Sequence, residues 1–270
     1  GRPGIASQSE HVFETAVALS LGLLVIPMLG HNATLEHTVF PLNTPCWSLF
    51  FELVANAAFA IWARFRYGLT VVFVLMGVSW VLVLAGIGAE GTVNLGHVPS
   101  TFWLGFPRVG WSFGVGMLMY RYRQHAPRTH FAVAPVLLAV FLMLPVPPRY
   151  AAWYEAIGVT LVMPGLVFLA LRCEVHGRLR ALSTWSGNLS YPMYALHYPV
   201  VRACAVLVRR GQPSIGTRIA IVALVSLFIL ALSAVVFAKV DVPLRAWLAR
   251  VRARRSAQAH PSNVRSVSTT

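Results

Sequence analysis

Eight apolar runs dominate this chain, near residues 13–30, 47–63, 68–88, 102–120, 131–147, 152–171, 189–208 and 217–238. A helix needs roughly 20 apolar residues to cross the hydrocarbon of a bilayer. The Gly, Pro and few polar residues inside these runs are tolerated in membrane helices. The sequence therefore predicts an all-α, polytopic transmembrane helix bundle of about eight helices. Of the 270 residues, 57% are hydrophobic and 11% charged, against about 25% charged in a soluble domain. Residues 1–11 read as an N-terminal loop, 12–248 as the transmembrane domain, and 249–270 as a basic, disordered tail beside anionic headgroups.

A net charge of +14 would suit a nucleic-acid partner, but topology accounts for it. With alternating helices, sixteen of the 22 basic residues fall on one side, in the loops holding Arg64, Arg66, Arg121, Arg123, Arg128, Arg172, Arg178 and Arg180 and at both termini. Four fall on the other side, Arg149, Arg209, Arg210 and Arg218, and Arg108 and Arg202 lie within helices. The positive-inside rule makes the first side cytoplasmic and exposes loops 31–46 and 89–101 outside. No nucleic-acid partner is implied; the expected partner is the bilayer. Lys239 is the only lysine among those basic residues, a bias that suits a GC-rich bacterial genome and an inner-membrane location. Cys46, Cys173 and Cys204 fall at different depths, so no disulfide framework is expected.

Within this apolar background a few polar residues stand out. Ser48, Glu52 and Asn56 are spaced i, i+4, i+8, and at ~100° per residue they share one stripe of a helix. A carboxylate near the centre of a membrane helix costs about 2.5–3.5 kcal/mol, which predicts that the stripe faces the interior or a wet cavity. Hydrogen-bond glue between helices is the alternative role for Ser48 and Asn56. Arg108 starts at a depth of roughly 9 Å on its helix and Glu52 at roughly 7.5 Å, which makes a buried Glu52–Arg108 pair the expected partnership. Gly110 and Gly114 on the Arg108 helix predict a close-packing surface. A third cluster, Ser190, Tyr191, Tyr194, His197 and Tyr198, falls within about a third of a helix circumference. His197 is its candidate acid or base. His11 with Glu14, and Glu36 with His37, lack a third clustered ligand, so no metal site is expected.

Trp47-Ser48-Leu49-Phe50-Phe51-Glu52, Arg108-Val109-Gly110-Trp111 through Met117, Leu189-Ser190-Tyr191-Pro192-Met193-Tyr194-Ala195-Leu196-His197-Tyr198-Pro199 and Asp241-Val242-Pro243-Leu244 resemble the acyltransferase 3 family of integral-membrane acyltransferases. The resemblance covers roughly residues 40–248. It implies transfer of an acyl group, acetyl above all, from acyl-CoA to a hydroxyl of an envelope sugar, polysaccharide or lipid, with no bound cofactor. It makes Glu52 and His197 the candidate catalytic residues, and Trp47, Ser48, Asn56, Arg108, Tyr191 and Tyr194 the candidate substrate-binding ones. The family's early helix carries Arg or Lys followed eleven positions later by His, a spacing this sequence lacks. The expectation is therefore a chain that begins after the family's first two or three helices. Three other readings are open: a membrane-bound O-acyltransferase of the unrelated type built on His197, a transporter or flippase using an intramembrane Glu52–Arg108 site, and an inactive truncated member.

Overall fold

A computed structural model describes residues 5–30, 35–65, 68–211 and 213–259. They form an all-helical membrane protein, with eight helices and no strand among the described residues. In chain order these are α1 (Ile5–Leu23), α2 (Cys46–Phe65), α3 (Leu69–Glu90), α4 (Gly105–Tyr122), α5 (Val133–Met143), a helix made of α6 (Ala151–Ile157) and α7 (Met163–Ala170), α8 (Gly177–Gly211), and a helix made of α9 (Ile215–Val236) and α10 (Val242–Ala259).

Two of these helices carry a π-helical turn, Gly158–Val162 between α6 and α7 and Phe237–Asp241 between α9 and α10. Each turn is followed within two residues by a proline, Pro164 or Pro243. A proline ring has no N–H to donate and crowds the carbonyl four residues back, and widening the preceding turn relieves that clash while the helix continues. Among the described residues, four stretches are long and apolar enough to cross a membrane: Cys46–Phe65, Leu69–Glu90, Pro148–Ala170 and Ile215–Arg254.

Three expected boundaries change. Residues 5–11 are helical rather than loop, because no Gly or Pro between Ile5 and Leu21 interrupts the helix. The first apolar run, expected to reach residue 30, is cut short where Ile26 N–H bonds Leu21 O at 2.9 Å and Val25 N–H bonds Gly22 O at 3.1 Å. This pair of bonds is a Schellman stop, and Val25 holds its left-handed position at φ 54°. Residues 249–259 continue α10 instead of forming a disordered tail. Ala and Arg are strong helix formers, and Arg245 Nε pairs with Asp241 Oδ2 at 2.8 Å, one turn apart. Residues 1–4 and 260–270 lie outside the described set.

The chain divides into two compact units, Gly1–Leu179 and Arg180–Thr270. In the first, α4 packs on α3 and α2. Glycines set the spacing: a Cβ on Gly110 would come within 2.6 Å of Ser79 Oγ, and one on Gly114 would overlap the Met76 side chain. The expected close-packing role of these two glycines is what the structure shows. The second unit holds most of α8, with Pro192 and Pro199 inside the helix, followed by α9 and α10.

Candidate active site

At one end of the first unit, the N-termini of α2 and α4 meet the segments that precede them. The connection is stitched by backbone bonds, from Met28 N–H to Val39 O at 2.8 Å and from Val39 N–H to His97 O at 2.9 Å. Beneath it lies an aromatic core of Val39, Phe40, Cys46, Phe51 and Phe102, with Trp47, Phe50 and Phe106 packed against it. Phe51 fills the notch left by Gly105, where any Cβ would overlap its ring. Gly96, at φ +103°, brings its backbone so close that an added Cβ would lie 2.8 Å from Gly105 Cα. Only glycine meets both demands at that position.

Seating Phe51 in this notch fixes the rotation of α2, and that rotation decides where the polar stripe points. Phe51 and Ala55 are buried, whereas Glu52 and Asn56, about 100° further round, are exposed and Ser48 is half-buried. Ser48 Oγ donates to Pro45 O at 3.1 Å, and Asn56 Nδ2 donates to the backbone carbonyl of Glu52 at 2.9 Å. Of the two expected settings, the packed interior is corrected: among the described residues, the Glu52 carboxylate lies on the open face of α2.

The expected Glu52–Arg108 pair is corrected as well. Arg108 turns instead to Trp47, with its guanidinium carbon 4.7 Å from the indole centroid. Its Nη1 donates to Leu95 O at 3.4 Å. A guanidinium over an indole face gains about 0.5–2 kcal/mol, more as the site is desolvated. No local pattern in the sequence encodes the rotation of α2.

This cluster also contains a residue that the sequence did not single out. The ring of His97 lies 6.5 Å from that of Trp47, and its Nδ1 is 2.7 Å from Asn94 O. A carbonyl only accepts, so Nδ1 carries a proton, and in the neutral ring Nε2 is the acceptor. Trp47, His97 and Arg108 thus place an aromatic face, an imidazole and a cation together. The sequence signal for His97 was slight: a histidine next to a glycine, in a loop without basic residues.

His197 belongs to the second unit. Its Nδ1 lies 2.8 Å from Tyr194 O and 3.1 Å from Met193 O, which in the neutral ring leaves Nε2 as the acceptor. Its ring sits 5.8 Å from that of Tyr194. Ser190 Oγ donates to Gly187 O at 2.8 Å, and Tyr191 and Tyr194 are exposed.

A helical membrane protein with an arginine, an imidazole and an indole gathered at the ends of two helices is equipped to hold a polar acceptor and a developing negative charge. Residues 6–238 match the family model described as an acyltransferase domain, and the chain belongs to that family, acyltransferase 3. No curated protein and no solved structure matches the chain.

Proposed function

We propose that this membrane acyltransferase moves an acyl group, acetyl by preference, from acyl-CoA to a hydroxyl of an envelope sugar, polysaccharide or lipid. In this reading it works in a bacterial inner membrane, with both ends of the chain in the cytoplasm and loops 31–46 and 89–101 outside. The observation that carries the proposal is the fixed Arg108–Trp47 pair at the head of a chain of this family.

The chemistry is a single substitution. The acceptor oxygen attacks the thioester carbonyl, a C–O bond forms and the C–S bond breaks. The hydroxyl proton goes to a base and the sulfur leaves as thiolate, protonated by water. Arg108, held by an indole and a carbonyl, is pre-oriented to receive the oxyanion and needs little reorganisation. Trp47 supplies an aromatic ring for the apolar C–H face of a sugar. Ser48, Glu52 and Asn56 supply hydrogen-bonding groups for an acceptor on the open face of α2. Two groups have the capacity to take the proton, the Glu52 carboxylate and His197 Nε2, with Tyr191 and Tyr194 as hydroxyls on the His197 helix.

Membranes containing the protein, supplied with acyl-CoA labelled in the acyl group, provide the test. Label should appear on the acceptor and thiol should be released in equal amount, with transfer lost in Arg108→Gln and in whichever of Glu52→Gln and His197→Gln removes the base. Substrate flux across vesicles that depends on Glu52, without thiol release, would replace this reading with transport.

A further inference from the structure

The opposite end of α4 carries a second polar site. The segments joining α4 to α5 and α7 to α8 form an open-mouthed cavity of about 580 Å³, lined by Arg128, Thr129, His130, Arg172, Glu174 and His176 among others. That size lies within the range of about 300–1,000 Å³ typical of small-ligand sites. It stands roughly 25 Å from the Arg108 end, given the 18-residue length of α4 and a rise of ~1.5 Å per residue.

The walls of this cavity are tied together across long stretches of sequence. Arg172 Nη1 donates to Gln124 O at 2.7 Å and to Ala126 O at 3.0 Å. Thr129 Oγ1 donates to Leu169 O at 2.8 Å. Arg172 therefore docks one segment onto the other and holds its guanidinium at the cavity wall. His130 Nδ1 accepts from Ala132 N–H at 3.3 Å. Its Nε2 is thus the protonated nitrogen in the neutral ring, and His130 offers a donor whether charged or not.

The charge balance favours an anion. Two guanidiniums and two imidazoles face one carboxylate, Glu174. That carboxylate lies 3.8 Å from His176 Nε2, and both side chains are at least four-fifths exposed. A pair so exposed interacts weakly and is free to open. Arginine forks match phosphate oxygens, and hydrogen bonds to an ionised partner are among the strongest a protein makes.

We propose that this cavity is a binding site for a phosphate-bearing ligand, with Arg128, His130 and Arg172 as its donors. The same chemistry is presented by an anionic phospholipid headgroup and by a soluble phosphate ester. A soluble phosphate ester includes the acyl-CoA of the proposed function, and in that branch the inference rests on that reading; binding is measured without turnover, so its failure is distinguishable from a failure of transfer.

The test uses the full chain in nanodiscs of neutral phosphatidylcholine. One arm titrates inorganic pyrophosphate and follows tryptophan fluorescence; the other replaces part of the lipid with phosphatidic acid and follows thermal unfolding. Saturable binding in the first arm assigns a soluble ligand, and stabilisation in the second alone assigns a lipid. In either case Arg128→Gln with His130→Leu should weaken the effect by about tenfold or more, as expected for loss of charge-assisted hydrogen bonds. Those two residues are exposed, so the variant should keep its fold, whereas Arg172→Gln also unties the two segments. A response in neither arm, or one unchanged in the double variant, overturns the proposal.

Discussion

Replacing Gly105 by alanine tests the contact that orients the candidate active site. The added methyl would overlap three atoms of the Phe51 ring, and Phe51 is 2% exposed. Overpacking of this kind costs about 1–3 kcal/mol. At about 2–4 °C per kcal/mol for a chain of this size, the unfolding midpoint should fall by roughly 2–12 °C. Thermal unfolding of the purified protein in detergent, followed by tryptophan fluorescence, measures it. Phe51→Leu removes the atoms that collide, so Gly105→Ala with Phe51→Leu should be more stable than the sum of the two single losses by about 0.5–3 kcal/mol. Arg108 lies one turn along α4 from Gly105, so the single glycine variant should also lower transfer and the double variant regain part of it. A midpoint for Gly105→Ala within 1 °C of the parent, or strictly additive losses, would refute the notch as the determinant of α2 rotation.

Three further outcomes follow from the same geometry. Glu52→Leu should lower transfer, by removing an acceptor-binding group, yet raise stability in lipid, because it removes a carboxylate from the open face of a membrane helix, where a charge costs about 2.5–3.5 kcal/mol near the centre; activity and unfolding measured on one preparation would show the two moving in opposite directions. Arg108→Lys keeps the charge but loses the planar stack on Trp47 and the fork geometry, and kcat/KM should fall by about 10–100-fold, the loss of roughly 1.4–2.7 kcal/mol of transition-state stabilisation. His97→Gln should raise KM for the acceptor more than it lowers kcat if the imidazole positions the acceptor beside Trp47, which initial rates over a range of acceptor concentrations would show.

Much of this architecture is legible in the sequence, and the gaps have physical causes. The apolar runs locate the helices because burial in lipid demands length and apolarity alone. Gly110 and Gly114 announce the α3–α4 contact because only small residues let two helices approach so closely. The ends of the helices are less legible: α1 stops at a Schellman turn built on Val25, where glycine would have been the usual signal. The stripe of Ser48, Glu52 and Asn56 is a property of α2 alone, and the spacing i, i+4, i+8 suffices to show it. Its direction depends on Phe51 finding Gly105, more than fifty residues away, and no local pattern encodes that. Arg108 was recognisable as a costly charge, but its choice of Trp47 over Glu52 follows from the same rotation. His97 was hidden because its role comes from a turn that carries its ring to Trp47, not from periodicity.

The central claim, that this chain is an acyltransferase acting on a hydroxyl acceptor, is tested most directly by mass balance in reconstituted vesicles. Acyl-CoA labelled in its acyl group is supplied with an envelope glycan or lipid acceptor, and label on the acceptor and free thiol are counted together. The account predicts equal amounts of the two, formed as an ester that mild base releases, and neither product in Arg108→Gln. Movement of substrate across the bilayer with the thioester intact would contradict it.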